Sequence, residues 1–165
     1  MGARGAAGVG VESYFRPMDL RIEALTPENL EAVLALPPQS GDDEPVAPTA
    51  WSVAEAYVQP TAWPRAITAD GAVVGFVMAN WSPDESEPAF RAGIWRMNVA
   101  ADARRRGIGR FAVEQVAAEA RRRGVDRITV LWDADHPRSP EGFYLRCGFR
   151  PVGELFGQRL GELRV

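Results

Sequence analysis

The chain has 165 residues, of which 46% are hydrophobic and 25% are charged, and its formal net charge is -3. This length and composition predict one globular domain, and the negative charge argues against a general nucleic-acid binder. The sequence contains no lysine, one cysteine and one histidine, which excludes Schiff-base chemistry and an internal disulfide and argues against a cysteine/histidine metal site.

The first 17 residues form a glycine-rich segment without hydrophobic periodicity. We therefore predict a disordered leader at 1–17, followed by a single domain at 18–165. The leader lacks the apolar core of a signal peptide, and no apolar run reaches the roughly 18 residues that span a bilayer. We accordingly expect a cytoplasmic protein that does not contact a membrane.

The beginning of the domain predicts one strand and two helices. Asp19–Ala24 alternates between apolar and polar residues, which is typical of a half-buried strand. Thr26-Pro27-Glu28 combines an N-cap, a proline and an early acid, and it predicts a helix that runs to about Leu36. Ser52 is expected to cap a second, short helix that ends at Tyr57.

A hairpin and a further strand follow these helices. Asp70-Gly71 is a dipeptide typical of hairpin turns, so we predict strands at Arg65–Thr68 and Ala72–Asn80 on either side of it. Ala92–Val99 predicts another strand, with its odd-numbered residues on one face of the sheet and its even-numbered residues on the other.

The last third of the chain alternates between helices and strands. Apolar spacing predicts a helix from Arg110 to Arg123, which Gly124 would stop. The other predicted elements are a strand at Arg127–Trp132, a short helix opened by Ser139 and closed by Gly148, and a hairpin centred on Gly157. This order predicts a mixed α/β (α+β) domain with helices flanking a central, mostly antiparallel sheet.

An arginine- and glycine-rich turn separates strand 92–99 from the long helix. Arg104-Arg105-Arg106 opposes the helix dipole, which disfavours each cation near a helix N-terminus by roughly 0.3–1 kcal/mol. Gly107 and Gly109 allow a ligand to approach the backbone, and the helix start supplies free N–H groups. The turn therefore predicts a phosphate- or pyrophosphate-binding site.

The same glycines leave a second interpretation open. Gly107-Ile-Gly109-Arg-Phe-Ala112 matches the pattern G-x-G-x-x-A of dinucleotide sites, and Asp133 follows near the spacing of a ribose-binding acid. An NAD-dependent enzyme is thus an alternative. The few elements that remain after the turn argue against it, because such a motif normally opens a long parallel array.

Two motifs resemble the signatures of the GNAT acetyltransferases. Val99-x-x-x-x-Arg104-x-x-Gly107-x-Gly109 resembles their acetyl-CoA motif, V-x-P-x-x-[QR]-x-x-G-x-[GA]. The stretch from Phe143-Tyr144 to Gly153-Glu154 resembles their second motif, F-Y-x-x-x-G-F-x-x-x-G-E. The likeness covers about residues 19–165. It implies a GNAT-type fold and an acetyl-CoA-dependent N-acetyltransferase, in which an amine attacks the thioester directly through a tetrahedral intermediate.

The resemblance implies roles for the matching residues. Strand backbone should hydrogen-bond the pantetheine arm where the strand splays from its neighbour, and the amides of the turn should hold the pyrophosphate. Tyr144 matches the tyrosine that protonates the departing thiolate. Ala101 and Pro137 depart from the family pattern. Ser139 is a candidate to replace the hydrogen bond lost at Pro137, and a role as a helix cap is the alternative for this residue. The expected cofactor-binding residues are Met97, Asn98, Val99, Arg104, Arg105, Arg106, Gly107, Ile108, Gly109, Arg110 and Ser139; no metal is expected.

The acceptor is expected to be a small-molecule amine. Val46–Ala56 and Val74–Met78 look similar to bacterial diamine and spermidine/spermine acetyltransferases, which implies a diamine or polyamine. The acidic run Asp42-Asp43-Glu44 suits such a cation, although solvation of an exposed loop is the alternative. Trp51 and Trp81 are candidates to line the acceptor groove. The resemblance is also compatible with a homodimer.

A general base for the incoming amine is not identified. Strand 92–99 contains no acid. The loop candidates are Glu44, Glu87, Asp133, Asp135 and His136, of which the histidine can titrate near neutral pH. The absence of an evident base leaves open an acyl-CoA-binding module without turnover.

Overall fold

The computed structural model describes residues 17–37 and 48–165, so the acidic run at 42–44 and most of the predicted leader lie outside the described residues. The strands are β1 Leu20–Ala24, β2 Ala62–Ala69, β3 Ala72–Trp81, β4 Ala92–Val99, β5 Arg127–Trp132, β6 Arg150–Leu155 and β7 Gln158–Arg164. The helices are α1 Pro27–Leu34, α2 Thr49–Val58, α3 Ile108–Arg122 and α4 Glu141–Arg146, with short 3-10 turns at Pro88–Phe90 and Ala101–Ala103.

The seven strands form one sheet in the order β1-β2-β3-β4-β5-β7-β6. All neighbouring strands are antiparallel except β4 and β5, which are parallel. This confirms the predicted mixed fold with a mostly antiparallel sheet. It excludes the dinucleotide-binding alternative, because that fold needs a mostly parallel sheet.

Two tight turns form as the sequence predicts. Asp70 and Gly71 have φ angles of 49° and 85°, and Phe156 and Gly157 have φ angles of 54° and 75°. Two successive residues with positive φ are the geometry of the hairpin turn that matches the right-handed twist of paired strands. Each turn therefore sets the register of the hairpin around it.

Helix α3 covers the centre of the sheet with one apolar face. Its buried side chains are Ile108, Ala112, Val113, Val116, Ala117 and Ala120, and the helix contacts β1, β3, β4 and β5. Gly124 follows the helix with a φ of 71°, as expected for a residue that ends a helix in the left-handed conformation. The helix begins at Ile108, two residues before the predicted start, because the left-handed Gly107 occupies the N-cap.

The predicted start of α2 is wrong. The helix begins at Thr49 after Pro48, and Ser52 is an interior residue that is only 1% exposed. The start of a helix tolerates proline because the first N–H groups of a helix have no partner within it, so that the missing N–H of proline costs no hydrogen bond. A hydroxyl cap was therefore not required here.

Candidate active site

The parallel strands β4 and β5 touch at one end and diverge at the other. Their paired residues are Gly93 with Thr129 and Ile94 with Val130. A side chain at position 93 would collide with the carbonyl and hydroxyl oxygens of Thr129, so glycine allows this close approach. The pairing of β4 with β5 ends at Ile94, while β4 continues to Val99. The predicted splay is therefore present, and we call the part of β4 beyond this pairing its open edge.

A bulge in β4 lies where the splay begins. In the pairing with β3, Met78 faces Arg96 and Ala79 faces Ile94, so that Trp95 is an extra residue. The prediction of strict alternation along β4 is wrong at this point, because a bulge re-aims the side chains next to it. Trp95 and Arg96 consequently line the same cavity.

The arginine-rich turn has an unusual backbone conformation. Arg105 and Gly107 have φ angles of 60° and 83°, and Arg104 between β4 and the helix is extended. A left-handed conformation costs a non-glycine residue free energy, so the turn is held in a strained shape at Arg105. This shape leads the chain from the open end of β4 into the N-terminus of α3.

One cavity of about 480 Å³ lies against this turn, and we call it the turn cavity. Met97 and Val99 belong to its lining. The charged residues of this lining, in the described part of the chain, are Arg104, Arg105, Arg110, Arg138 and Arg146. The remaining lining residues are Ala103, Gly107, Ile108, Gly109, Pro140, Phe143, Tyr144 and Cys147. Five guanidinium groups next to a helix N-terminus favour an anionic ligand.

A second cavity, also of about 480 Å³, lies between β4 and β5, and we call it the sheet cavity. Its charged lining residues in the described part of the chain are Glu55, Arg96 and Asp133. Its apolar lining includes Phe90, Ile94, Trp95, Leu131 and Trp132. Met97, Pro140 and Tyr144 line both cavities, and we call this shared boundary the junction of the two cavities.

Tyr144 is held at this junction by aromatic rings. Its ring stacks on Trp132 at a centroid distance of 5.4 Å, and Phe143 and Phe149 meet it edge-on at 5.1 and 5.5 Å. The residue is 7% exposed. Burial raises the pKa of the Tyr144 phenol well above its ordinary value near 10, with a smaller contribution from Cys147. The hydroxyl therefore keeps its proton throughout the neutral range.

Phe143 also explains a glycine of the turn. A side chain at Gly109 would lie 3.0 and 3.1 Å from two carbon atoms of the Phe143 ring. Gly109 is thus required for helix α3 to pack against α4, in addition to the access to backbone that the sequence pattern predicts. Arg110 joins the same two helices, because its Nη2 donates a hydrogen bond to the carbonyl of Arg146 at 3.0 Å.

Three predicted cofactor residues lie away from the cavity walls. The Asn98 side chain points to the other side of β4 and donates hydrogen bonds to the Pro37 carbonyl and the Thr49 hydroxyl, each at 3.3 Å. Arg106 contacts the Met18 sulfur at 3.3 Å. The Ser139 hydroxyl accepts a hydrogen bond from the N–H of Glu141 at 3.3 Å, which stabilises the start of α4. The other predicted cofactor residues line the turn cavity.

The candidate bases occupy different positions. Asp133 lines the sheet cavity, and its Oδ1 accepts hydrogen bonds from the N–H groups of Asp135 and His136. The Glu87 carboxylate accepts from the N–H of Ala89 at the start of a 3-10 turn. Asp135, His136 and Glu87 do not belong to the described lining of either cavity. The structure thus brings Asp133 alone of the described candidates to the sheet cavity.

Sequence reasoning missed two charged residues of the sheet cavity. Glu55 on α2 and Arg96 on β4 form an ion pair of 3.3 Å, with exposed side-chain fractions of 28% and 31%. The two residues are 41 positions apart, so no local motif joins them. The available signal was the one charged residue, Arg96, within strand β4.

The predicted groove tryptophans are separated from this cavity. Trp51 is 68% exposed, and Trp81 is buried against Trp63 at a centroid distance of 6.1 Å. Neither residue lines the sheet cavity.

Within residues 17–37 and 48–165, no group of three or more His, Cys, Asp or Glu side chains is placed to hold a metal ion. The helices of the same ranges include none that is long and apolar enough to cross a membrane.

Comparison with protein families matches most of this chain to one family. The family model described as "Acetyltransferase (GNAT) family" matches residues 28–149. This range includes α3, the splayed strands and Tyr144. A search of the curated proteins found no significant match.

Solved structures share the fold at low sequence identity. An acetyltransferase from Thermus thermophilus is 22% identical, with a TM-score of 0.69 over 90% of this chain and 99% of that chain. The ribosomal-protein-S18-alanine N-acetyltransferase from Escherichia coli is 18% identical, with a TM-score of 0.64 over 88% and 94%. The PaiA N-acetyltransferase from Thermoplasma acidophilum, solved with coenzyme A, is 13% identical, with a TM-score of 0.67 over 90% and 100%.

Proposed function

The chain belongs to the GNAT acetyltransferase family, and we propose that it transfers the acetyl group of acetyl-CoA to a small-molecule primary amine. The observation that carries this proposal is the junction of the two cavities at Met97, Pro140 and Tyr144. A donor that enters through the turn cavity and an acceptor that enters through the sheet cavity would meet there. Tyr144 would stand beside the reacting atoms.

The turn cavity suits the donor. The open edge of β4 at Met97–Val99 offers backbone groups to the pantetheine arm, which is an extended chain with amide groups of its own. Arg104, Arg105 and Arg110, together with the N-terminus of α3, offer positive charge to the pyrophosphate. Coenzyme A is the ligand named for the Thermoplasma acidophilum relative, which supports the same donor here.

The reaction needs three proton movements. The ammonium form of the acceptor loses one proton, and the nitrogen of the resulting neutral amine attacks the thioester carbonyl. The nitrogen loses a second proton in the tetrahedral intermediate, the carbon–sulfur bond breaks, and the sulfur leaves as a thiolate that takes a proton, so that one proton is released overall. Tyr144 is the proposed donor to this sulfur, because its hydroxyl is protonated and the residue lines both cavities. The ammonium form of the acceptor must lose a proton before attack, and Glu55 and Asp133 are the carboxylates on the described part of the sheet cavity.

Diamines and polyamines are the acceptors that the sequence resemblance implies. The two carboxylates of the sheet cavity support a cationic amine. Arg96 on the same cavity opposes an acceptor that carries positive charge alone.

Release of the CoA thiol from acetyl-CoA by the purified chain tests the proposal. A panel of diamines, polyamines, amino acids and amino-acid amides should contain acceptors that raise release well above hydrolysis without acceptor. Mass spectrometry should find the acceptor heavier by one acetyl group. If acetyl-CoA raises the melting temperature while no acceptor gives release, the chain is a binding module instead.

A further inference from the structure

We infer that the acceptor is a zwitterion of the amino-acid type, whose carboxylate is bound by Arg96 while its amine faces the thioester. The inference rests on the proposed function and assigns a substrate class to the same sheet cavity. It begins from the position of Arg96, which directly follows the bulged Trp95 and lines the cavity between β4 and β5.

The guanidinium of Arg96 has unused hydrogen-bonding capacity. Nη1 donates to the Trp95 carbonyl at 2.9 Å, and Nη2 donates to Glu55 Oε2 at 3.3 Å. The buried Nε has no hydrogen-bond partner. Since a guanidinium carries five N–H groups, a carboxylate on the cavity side can be added without breaking either contact. The planar arrangement of these donors matches the two oxygens of a carboxylate.

The charges around Arg96 favour a zwitterion over a polycation. Glu55 is already paired with Arg96, so its charge is partly compensated. A second positive charge on the acceptor would meet the Arg96 guanidinium in a half-buried setting, where like charges repel more strongly than in water. A carboxylate on the acceptor reverses this repulsion, and Asp133 then remains for its ammonium group.

The rest of the cavity suits the side chain of such an acceptor. Phe90, Trp95 and Leu131 supply apolar surface on the described lining. An apolar or aromatic amino-acid side chain would bury against these residues. We therefore expect phenylalanine to be a better acceptor than lysine among free amino acids.

Matched acceptors that differ only in the carboxylate test the inference. We would compare phenylalanine with phenylalaninamide and phenethylamine, and lysine with lysinamide and cadaverine, by kcat/KM for CoA release. Each free acid should exceed its amide and its decarboxylated amine by roughly 10- to 100-fold, the range for a hydrogen-bonded ion pair. Arg96→Gln should remove this preference while the KM for acetyl-CoA stays unchanged.

Two further variants distinguish a loss of carboxylate binding from a general effect on folding. Arg96→Lys keeps the positive charge and should keep a preference for the acid, though a smaller one, because lysine lacks the planar fork. Arg91→Gln is the matched control, since Arg91 is an exposed arginine outside both cavities and donates to the Glu85 carbonyl. It should retain the full preference.

The outcomes separate this inference from the proposed function. If amines without a carboxylate are acetylated as well as the acids, or if Arg96→Gln lowers both classes equally, the inference is wrong and the proposed function stands. If no compound of the panel gives CoA release, the proposed function fails and the inference fails with it.

Discussion

Tyr144 shows how neighbouring side chains adapt one residue to a proposed chemical task. The rings of Trp132, Phe143 and Phe149 pack around its ring. Burial raises its pKa, so the phenol stays neutral as the pH rises past its ordinary value near 10. In the proposed mechanism, Tyr144 therefore keeps the proton that it would donate over the range in which the amine becomes deprotonated.

The first prediction concerns removal of this hydroxyl. Tyr144→Phe should lower kcat about 100-fold, near the small end of the range for general acid catalysis, because a thiolate is already a tolerable leaving group. The KM for acetyl-CoA should change little, since the ring contacts remain. The ratio of wild-type to variant kcat should be constant between pH 7 and pH 9, because the phenol does not ionise there. An unchanged kcat would remove Tyr144 from the mechanism.

At the scale of the element, the two ends of α3 carry arginine runs with opposite relations to the helix dipole. Arg104–Arg106 precedes the N-terminus, and Arg121 and Arg122 belong to the last turn. Cations stabilise a C-terminus and destabilise an N-terminus. The helix dipole thus gives the second run a structural reason, whereas it disfavours the first run, which the proposed pyrophosphate would stabilise.

This contrast gives the second prediction. Arg105→Ala should raise the free energy of unfolding by about 0.3–1 kcal/mol and weaken acetyl-CoA binding roughly tenfold. Arg121→Ala should lower the free energy of unfolding by a similar amount and leave the binding unchanged. Denaturant unfolding and calorimetric titration measure the two quantities. Equal binding by both variants would argue against a role for Arg105 in holding pyrophosphate.

The third prediction concerns the backbone of the turn. Gly107 and Gly157 both have a left-handed φ, and no heavy atom lies near a side chain built at either position. Gly107→Ala and Gly157→Ala should therefore each cost roughly 1–2 kcal/mol of stability. Only Gly107→Ala should weaken acetyl-CoA binding, because Gly157 lies in the β6–β7 turn. Loss of binding in both variants would point to a general effect of destabilisation.

The arginine-rich turn and the start of α3 could be predicted from sequence because they belong to one continuous segment; that this segment holds the donor stays a prediction. The strand, the turn and the start of α3 are joined at fixed spacing, and Tyr144 belongs to a second contiguous motif. The ion pair of Glu55 and Arg96 could not be predicted, since α2 meets β4 only through tertiary packing. The bulge at Trp95 was equally hidden, because it depends on the register between β3 and β4.

At the scale of the whole molecule, the contact between β4 and β5 joins two parts of the sheet. One part contains β1 to β4, and the other contains β5, β7 and β6. In the described residues, the strand register between β4 and β5 consists of the pairs Gly93–Thr129 and Ile94–Val130. Gly93 is the residue that allows this contact, because its missing side chain leaves room for Thr129.

The fourth prediction tests the importance of this contact. Gly93→Ala should destabilise the fold by about 1–3 kcal/mol or more, since the added methyl group meets backbone that cannot move independently. Gly153→Ala on β6 is the control, because nothing lies near a side chain there. It should change stability by less than about 0.5 kcal/mol. Urea titrations of both variants provide the measurement, and equal losses would contradict the proposed role of Gly93.

The open edge of β4 also has a thermodynamic consequence. A donor lying along Met97–Val99 would add hydrogen bonds and cover this segment, so the backbone of the segment would exchange its hydrogens more slowly once the donor is bound. A ligand that binds only the folded state stabilises it in proportion to the logarithm of the ligand concentration. The melting temperature of this protein should therefore rise with the concentration of acetyl-CoA.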